Sequence, residues 1–375
     1  MRSRHAKRAL CVGVLLWLLV MGLADSATSE PVEDVQQHTL YVAHGESIQE
    51  TQASCPSGTV ILLAPGVYKE RLLIEKSITL RGAAKGTTIH GGWGGSAIRV
   101  RGEAIRVQLE DITVEGATGF DGYGIQVEGS PVIDLCQITC RENAWGGLWV
   151  QDRAAVQLDN CRLQGNDTHG LVTQDFAFVT LRECTIVANG THGIMALHVS
   201  DVLLDSCVIA SNWSGVWAWD GVRLRAEQTV IDDNTTHGVV AQNGALIDLV
   251  QCSLSGNGGF GTWITDSGRG VLVDCEVRNN SEDGVRVERD GIIELSNCIL
   301  TGNHGMGIRT GAPSCVGGFD PSSPFKGSVE GGDNVVPGHG EPDGNLEGSL
   351  CPVPASTFWP PGFRRNVSSG DSIPN

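Results

Sequence analysis

The residues best suited to chemistry in this 375-residue chain fall into columns rather than clusters. Asp152, Asp175 and Asp220 stand 23 and 45 residues apart, and Asp266 follows after 46 more, with His198 and Asn243 on the same spacing. Carboxyl groups held about 5 Å apart suit a retaining glycosidase and about 9.5 Å an inverting one, while several carboxylate oxygens together suit Ca2+. His169, His192 and His237 each occupy a Thr-His-Gly triplet. His169 and His192 on adjacent turns could bind a transition metal or exchange protons beside the aspartates. A further column holds Trp149, Trp217 and Trp263 and continues into Arg286 and Arg309. Two residues beyond it stand Trp219, Gln151 and Gln174. Indole faces pack on the C–H faces of sugar rings, and neighbouring amides, carboxylates and guanidiniums bond the hydroxyls.

These columns share one interval, which defines the elements that must position them. Glycines recur at Gly124, Gly147, Gly170, Gly193, Gly215, Gly238, Gly261, Gly284 and Gly307, in steps of 23 residues with one of 22. An asparagine stands 19 residues after each of the first eight: Asn143, Asn166, Asn189, Asn212, Asn234, Asn257, Asn280 and Asn303. Cysteines stand 14 residues after six of them, with Ile138 and Thr229 in the other two places. Apolar residues alternate within each period, as in Leu148, Leu158 and Leu163, which is the signature of short strands with one buried face. No segment of the period has room for a three-turn helix. Three short strands per turn make an all-β fold, a right-handed parallel β-helix of about ten coils and about 50 Å, over residues 101–310.

In such a solenoid the asparagines become a buried amide ladder, which takes Asn166, Asn189, Asn212 and Asn234 away from the N-x-S/T sequons they head. The cysteine column has parallel side-chain vectors, a poor geometry for bridging, so those thiols serve as small buried fillers. Cys315 and Cys351 make the most plausible bridge, and Cys55 and Cys136 have no assigned partner. The Trp column points outward on the first strand of each coil, and apolar patches of that extent mark contact surfaces. Contact with carbohydrate or with a covering protein are the two readings. The Asp column recurs in every coil, which favours a solvated turn, and the histidines likewise read first as recurring turn residues.

The ends are different. Arg2, Arg4, Lys7 and Arg8 precede an apolar run to Ala24, the pattern of a secretory signal peptide over 1–24, followed by a linker over 25–40. A net charge of −17 without a basic cluster past the N-terminus excludes a nucleic-acid partner, and no later stretch could span a bilayer. A secreted, periplasmic or cell-surface protein is expected. Residues 41–100 read as a cap with a short helix near Ser47–Cys55 and the first coils, 311–351 as a C-terminal cap, and 352–375 as a loose tail.

The N-terminal stretch carries Gly45-x-Ser47-Ile48-Gln49, Pro65-Gly66-x-Tyr68-x-Glu70 and Lys76-x-Ile78-Thr79-Leu80-x-Gly82. With the repeats, it resembles the pectin-lyase-like superfamily, which includes pectinesterases and the periplasmic copper-accessory and sugar-hydrolase β-helix proteins. The resemblance implies the fold and is not specific for activity. Gln174-Asp175-Phe176-Ala177-Phe178 only hints at the pectinesterase motifs, and the L-G-R-P-W of those enzymes and the R-I-K of polygalacturonases are missing. Three functions are compatible with these residues. The protein binds an extended polysaccharide on its first-strand face, or cleaves one with Asp152, Asp175 or Asp220, or docks a protein there as a non-catalytic scaffold.

Overall fold

Alternating side chains with small residues at the bends let the chain coil on itself, burying every second residue inside and exposing the next. The computed structural model describes residues 38–83, 86–311, 328–332, 334–335 and 346–347. The signal segment, the Cys315–Cys351 pairing and the tail past 352 lie outside the described residues. Three faces run the length of the solenoid. The first holds Gly146–Val150, His169–Thr173, His192–Ala196, Ser214–Trp219, Val239–Gln242, Thr262–Ile264, Val285–Glu288 and Ile308–Gly311, each paired in parallel with the next. A second face runs through Ala155–Asp159, Phe178–Arg182 and their successors. The third is an 11-stranded sheet from Gly66–Tyr68 to Ile299–Thr301, one strand per coil and one coil more than expected. Near the N-terminus, Ile98–Glu110 and Tyr123–Cys136 are long enough to run through the first and second faces in one stretch.

Inside, like meets like. Leu148, Leu171, Ile194, Val216, Val239 and Val285 form one fully buried column. Each asparagine of the ladder after Asn143 accepts at Oδ1 from both the backbone N–H and the side-chain amide of the asparagine one coil before it, as Asn257 does from Asn234 at 3.2 and 3.0 Å. The Nδ2 of Asn257 also donates to Ile231 O at 3.2 Å and to Asn280 Oδ1 on the next coil at 2.9 Å, so the amide ties three coils together. Burial of Asn166, Asn189, Asn212 and Asn234 removes the sequons that they head from the surface. Cys140, Cys161, Cys184, Cys207, Cys252, Cys275 and Cys298 are buried free thiols, and the Sγ of Cys161 donates to Leu135 O at 3.3 Å. Thr229 continues their column with its hydroxyl, which accepts from Cys207 N at 3.3 Å and donates to Glu227 O at 3.0 Å. Cys136 is disulfide-bonded, and the other described cysteines are free, so its partner lies outside the described residues.

The N-terminal helix, Ile48–Ser54, closes the first coil by burying Ile48 and Gln52. Ser47 caps it by accepting from Glu50 N at 3.1 Å. Glu70 receives the next two orphan donors, Ile48 N at 2.8 Å and Gln49 N at 3.1 Å, together with the Ser47 hydroxyl at 2.8 Å. Two separate sequence motifs are thereby joined in one capping network. The strand Thr39–Val42 precedes the helix and pairs with Thr59–Leu63, so the linker stops short of residue 39.

Candidate functional site

Every first-face strand turns one row of side chains outward, and in-register pairing stacks that row into a ribbon. Trp149 lies between Gln126 and Val172, Trp217 between Met195 and Val240, and Trp263 between Val240 and Arg286. The corner leading into each strand adds Tyr123, His169, His192, His237 and Phe260. Tyr123 and Trp149 stand 5.1 Å apart between ring centres. His169 and His192 stack at 5.4 Å with planes 13° apart, as their spacing requires. His192 then meets Trp217 at 5.2 Å, Trp217 meets Trp263 edge-on at 6.5 Å, and Trp263 meets His237 at 5.3 Å. His237 in turn stacks on Phe260 at 5.0 Å. The contacts run unbroken from His169 to Phe260 across five coils.

One irregularity makes that continuity. Where its neighbours read Asn-x-Thr-His-Gly, the corner Asn212-Trp213-Ser214-Gly215 is one residue shorter and has no histidine. Ser214 is buried there, and Trp213 swings against His192 at 5.5 Å. Trp149, Trp217 and Trp263 are half-buried, and the indole N–H groups of Trp149 and Trp263 are shielded from solvent without a partner. What these two rings present outward is therefore carbon. Trp219 is more open, at the end of its strand beside Gln242. Gln151 and Gln174 are partly exposed at the same end.

The histidines are uncharged at neutral pH. Burial pushes His169, His192 and His237 down to about 4, with the neighbouring His169 adding to the effect on His192. Geometry agrees at His237, whose Nδ1 accepts from Phe260 N at 3.1 Å and so carries no proton. Among the described residues no group of three metal-binding side chains comes together, and the His169–His192 pair finds Ser214 on the next coil.

At the C-terminal end the ribbon opens into a cleft of about 580 Å3 lined by His237, Phe260, Trp263, Glu282, Arg286 and Arg309 among others. Arg286 is not a free sugar-binding cation. It is 5% exposed and donates to Glu288 at 2.8 Å and to Asp283 at 3.2 Å. Arg309 pairs with the same Asp283 at 3.2 Å. Partial desolvation, reinforced by the Asp283 charge, raises the carboxyl of the otherwise exposed Glu282 above its ordinary value.

The aspartate column occupies the corner at the far end of the same strands. Asp152, Asp175, Asp220 and Asp266 have φ of 62, 56, 63 and 50°, the left-handed region that Asp and Asn tolerate better than most residues. Asp152 accepts from Gly129 N at 2.7 Å, Asp175 from Gln174 Nε2 at 2.8 Å, and Asp220 from Asn243 Nδ2 at 3.2 Å. His198 lies between Asp175 and Asp220, at 3.4 and 4.0 Å. A hollow of about 390 Å3 beside them is lined by Asp152, Arg153, Asp175, Phe176 and Glu103. Asp175 follows His169 by six residues, about 20 Å of extended chain, so histidine and aspartate columns cannot act together on one bond.

Four exposed aromatics escape the column reading. Trp145 and Trp213 stand two residues before their glycines, and Trp93 and Phe120 occupy the matching corner in earlier, longer coils. Trp93 and Phe120 are 85% and 80% exposed, and Phe120 contacts Trp145 at 5.8 Å. The position two before each glycine would have flagged Trp145 and Trp213, but not the pair from irregular coils.

No curated protein matches the chain in sequence. Among solved structures, the periplasmic alginate epimerase AlgG superposes with a TM-score of 0.54 at 13% identity, covering 78% of this chain and 76% of that one. The A-module of the Azotobacter vinelandii mannuronan C-5 epimerase AlgE6 gives 0.53 at 15%, covering 82% and 93%. A GH136 lacto-N-biosidase from Eubacterium ramulus gives 0.52 at 12%, covering 80% and 67%. These likenesses show the shared solenoid. The profile of the right-handed β-helix region matches residues 77–224 and 171–315, well over half the chain, and with the pectin-lyase-like architecture this places the protein in the right-handed β-helix family.

Proposed function

We propose that the protein is exported and holds an extended polysaccharide along its first face. The observation that carries this reading is the unbroken aromatic ribbon from His169 to Phe260, with ring carbons outward and amides along its edge. A linear row of ring faces suits a linear chain of rings better than a compact ligand. The solved β-helix structures of an alginate epimerase, a mannuronan C-5 epimerase and a lacto-N-biosidase support a carbohydrate as well. Ligand at saturation should quench or shift Trp fluorescence and shield it from acrylamide. Trp217→Ala should weaken binding by about 1–3 kcal/mol, the scale of a buried aromatic contact, with little change in Tm. Wild-type binding left intact in that variant would count against the ribbon.

A cleaving enzyme is the second reading, and the hollow beside Asp152 and Asp175 favours it. On that reading Asp152 and Asp175, one coil apart and both lining the hollow, form the carboxylate pair. Release of reducing ends or unsaturated products by the wild type, and its loss in Asp175→Asn, decides for it.

A further inference from the structure

We infer that the polysaccharide held on the ribbon is uncharged. The inference rests on the ribbon reading and adds the substrate class. It starts from an absence in the sequence: the coils contain no lysine between residues 86 and 325. Their only permanent cations are arginines, and those of the first face are committed to carboxylates. Arg99 donates to both oxygens of Glu128 at 2.6 and 2.8 Å. Arg286 is enclosed by Asp283 and Glu288, Arg309 reaches Asp283, and Arg289 in the far corner pairs with Asp266.

The ribbon's other basic side chains do not help a polyanion. His237 accepts a hydrogen bond at Nδ1 and is neutral, and His169 and His192 are half-buried and stacked on one another. In the terminal cleft, Glu282, Asp283 and Glu288 outnumber Arg286 and Arg309. Along the opposite rim, Glu103, Asp152 and Asp175 outnumber Arg153. A polyuronate puts one carboxylate on each ring, at intervals of about 5 Å, well inside the ~8 Å screening length of physiological salt, and would meet like charge along its whole length. A neutral chain meets ring carbons for stacking, and its hydroxyls can donate to the rim carboxylates and to the amides of Gln151, Gln174 and Gln242. Sharing a fold with an alginate epimerase and a mannuronan epimerase does not supply the cations that a polyuronate chain would need.

The experiment is a Trp fluorescence titration of the full chain with soluble neutral β-glucan and mannan, and with polymannuronate and polygalacturonate. Each is run at low and high NaCl, with and without Ca2+. A neutral polymer should bind with affinity changing less than about twofold across the salt range, and both polyuronates at least about tenfold more weakly. A polyuronate that binds more tightly than the neutral chains, directly or only with Ca2+, overturns the inference; loss of that binding in Trp217→Ala would leave the ribbon reading standing. If no polymer of either class perturbs the tryptophans, the ribbon reading itself falls and takes the inference with it. Glu282→Lys, at an exposed position in the cleft, should raise polyuronate affinity at least about threefold, and an unchanged value would overturn the charge argument.

Discussion

A single asparagine of the ladder serves three coils, so its loss is felt by groups that belong to its neighbours. Asn257→Ala removes the acceptor for Asn234 N and Nδ2 and the donor to Ile231 O. Leaving such groups buried and unpaired should cost about 1–3 kcal/mol, measurable as a lower urea midpoint. The histidines make a second residue-scale prediction. Their folded pKa of about 4 lies below the ordinary 6.5, so the unfolded chain binds more protons between these values. Their contribution is complete above about pH 6.5 and is lost as pH falls toward 4. Relative to wild type, His192→Gln should show a shallower fall of Tm over that window, and parallel curves would refute the assignment.

At the scale of elements, the coil-to-coil spacing depends on the glycine that opens each first-face strand. A Cβ added to Gly215 would lie 2.4 Å from Gly238 O and 2.7 Å from Ile231 Cγ2. Gly215→Ala must therefore push neighbouring coils apart, and a loss of about 1–3 kcal/mol is expected by denaturant titration. Much at this scale was legible. Columns of Asn, Cys, Gly and alternating Leu and Ile all follow from one period, because each coil is laid on the last with the same inward set. Two things were hidden. Arg286 reads as an outward cation until the strand folds Asp283 and Glu288 onto it, a contact between residues two and three apart that only the corner geometry creates. The aspartates already read first as a turn column, and their left-handed φ gives the physical reason that Asp and Asn recur there. Trp93 and Phe120 lie in coils that depart from the period, so no column could reveal them.

For the whole molecule, the thiol column has an experimental signature. The eight free cysteines of the described residues are all buried, and burial pushes the Cys140 thiol up to about 12, far from the reactive thiolate. Native protein should react with almost no thiol reagent, while denatured protein should expose these thiols without any reductant. Their appearance only after reduction would mean that the column is bridged.

The short corner at Asn212–Gly215 has a consequence of a different kind. A solenoid whose coils carry the same asparagine, the same thiol and the same leucines is nearly blind to its own count. A chain slipped by a whole coil would meet the same partners again and settle into a decoy with most ladders satisfied. The missing residue is a notch. Slip the N-terminal coils past it and Trp213 no longer finds His192, while the Thr229 hydroxyl loses the Cys207 N–H it accepts from. Restoring the residue, by inserting threonine and histidine in place of Ser214, should leave each ladder intact yet broaden the refolded population into species offset by one coil. Separable species in native electrophoresis, absent from the wild type, would show that the chain tells its turns apart by that one irregular corner.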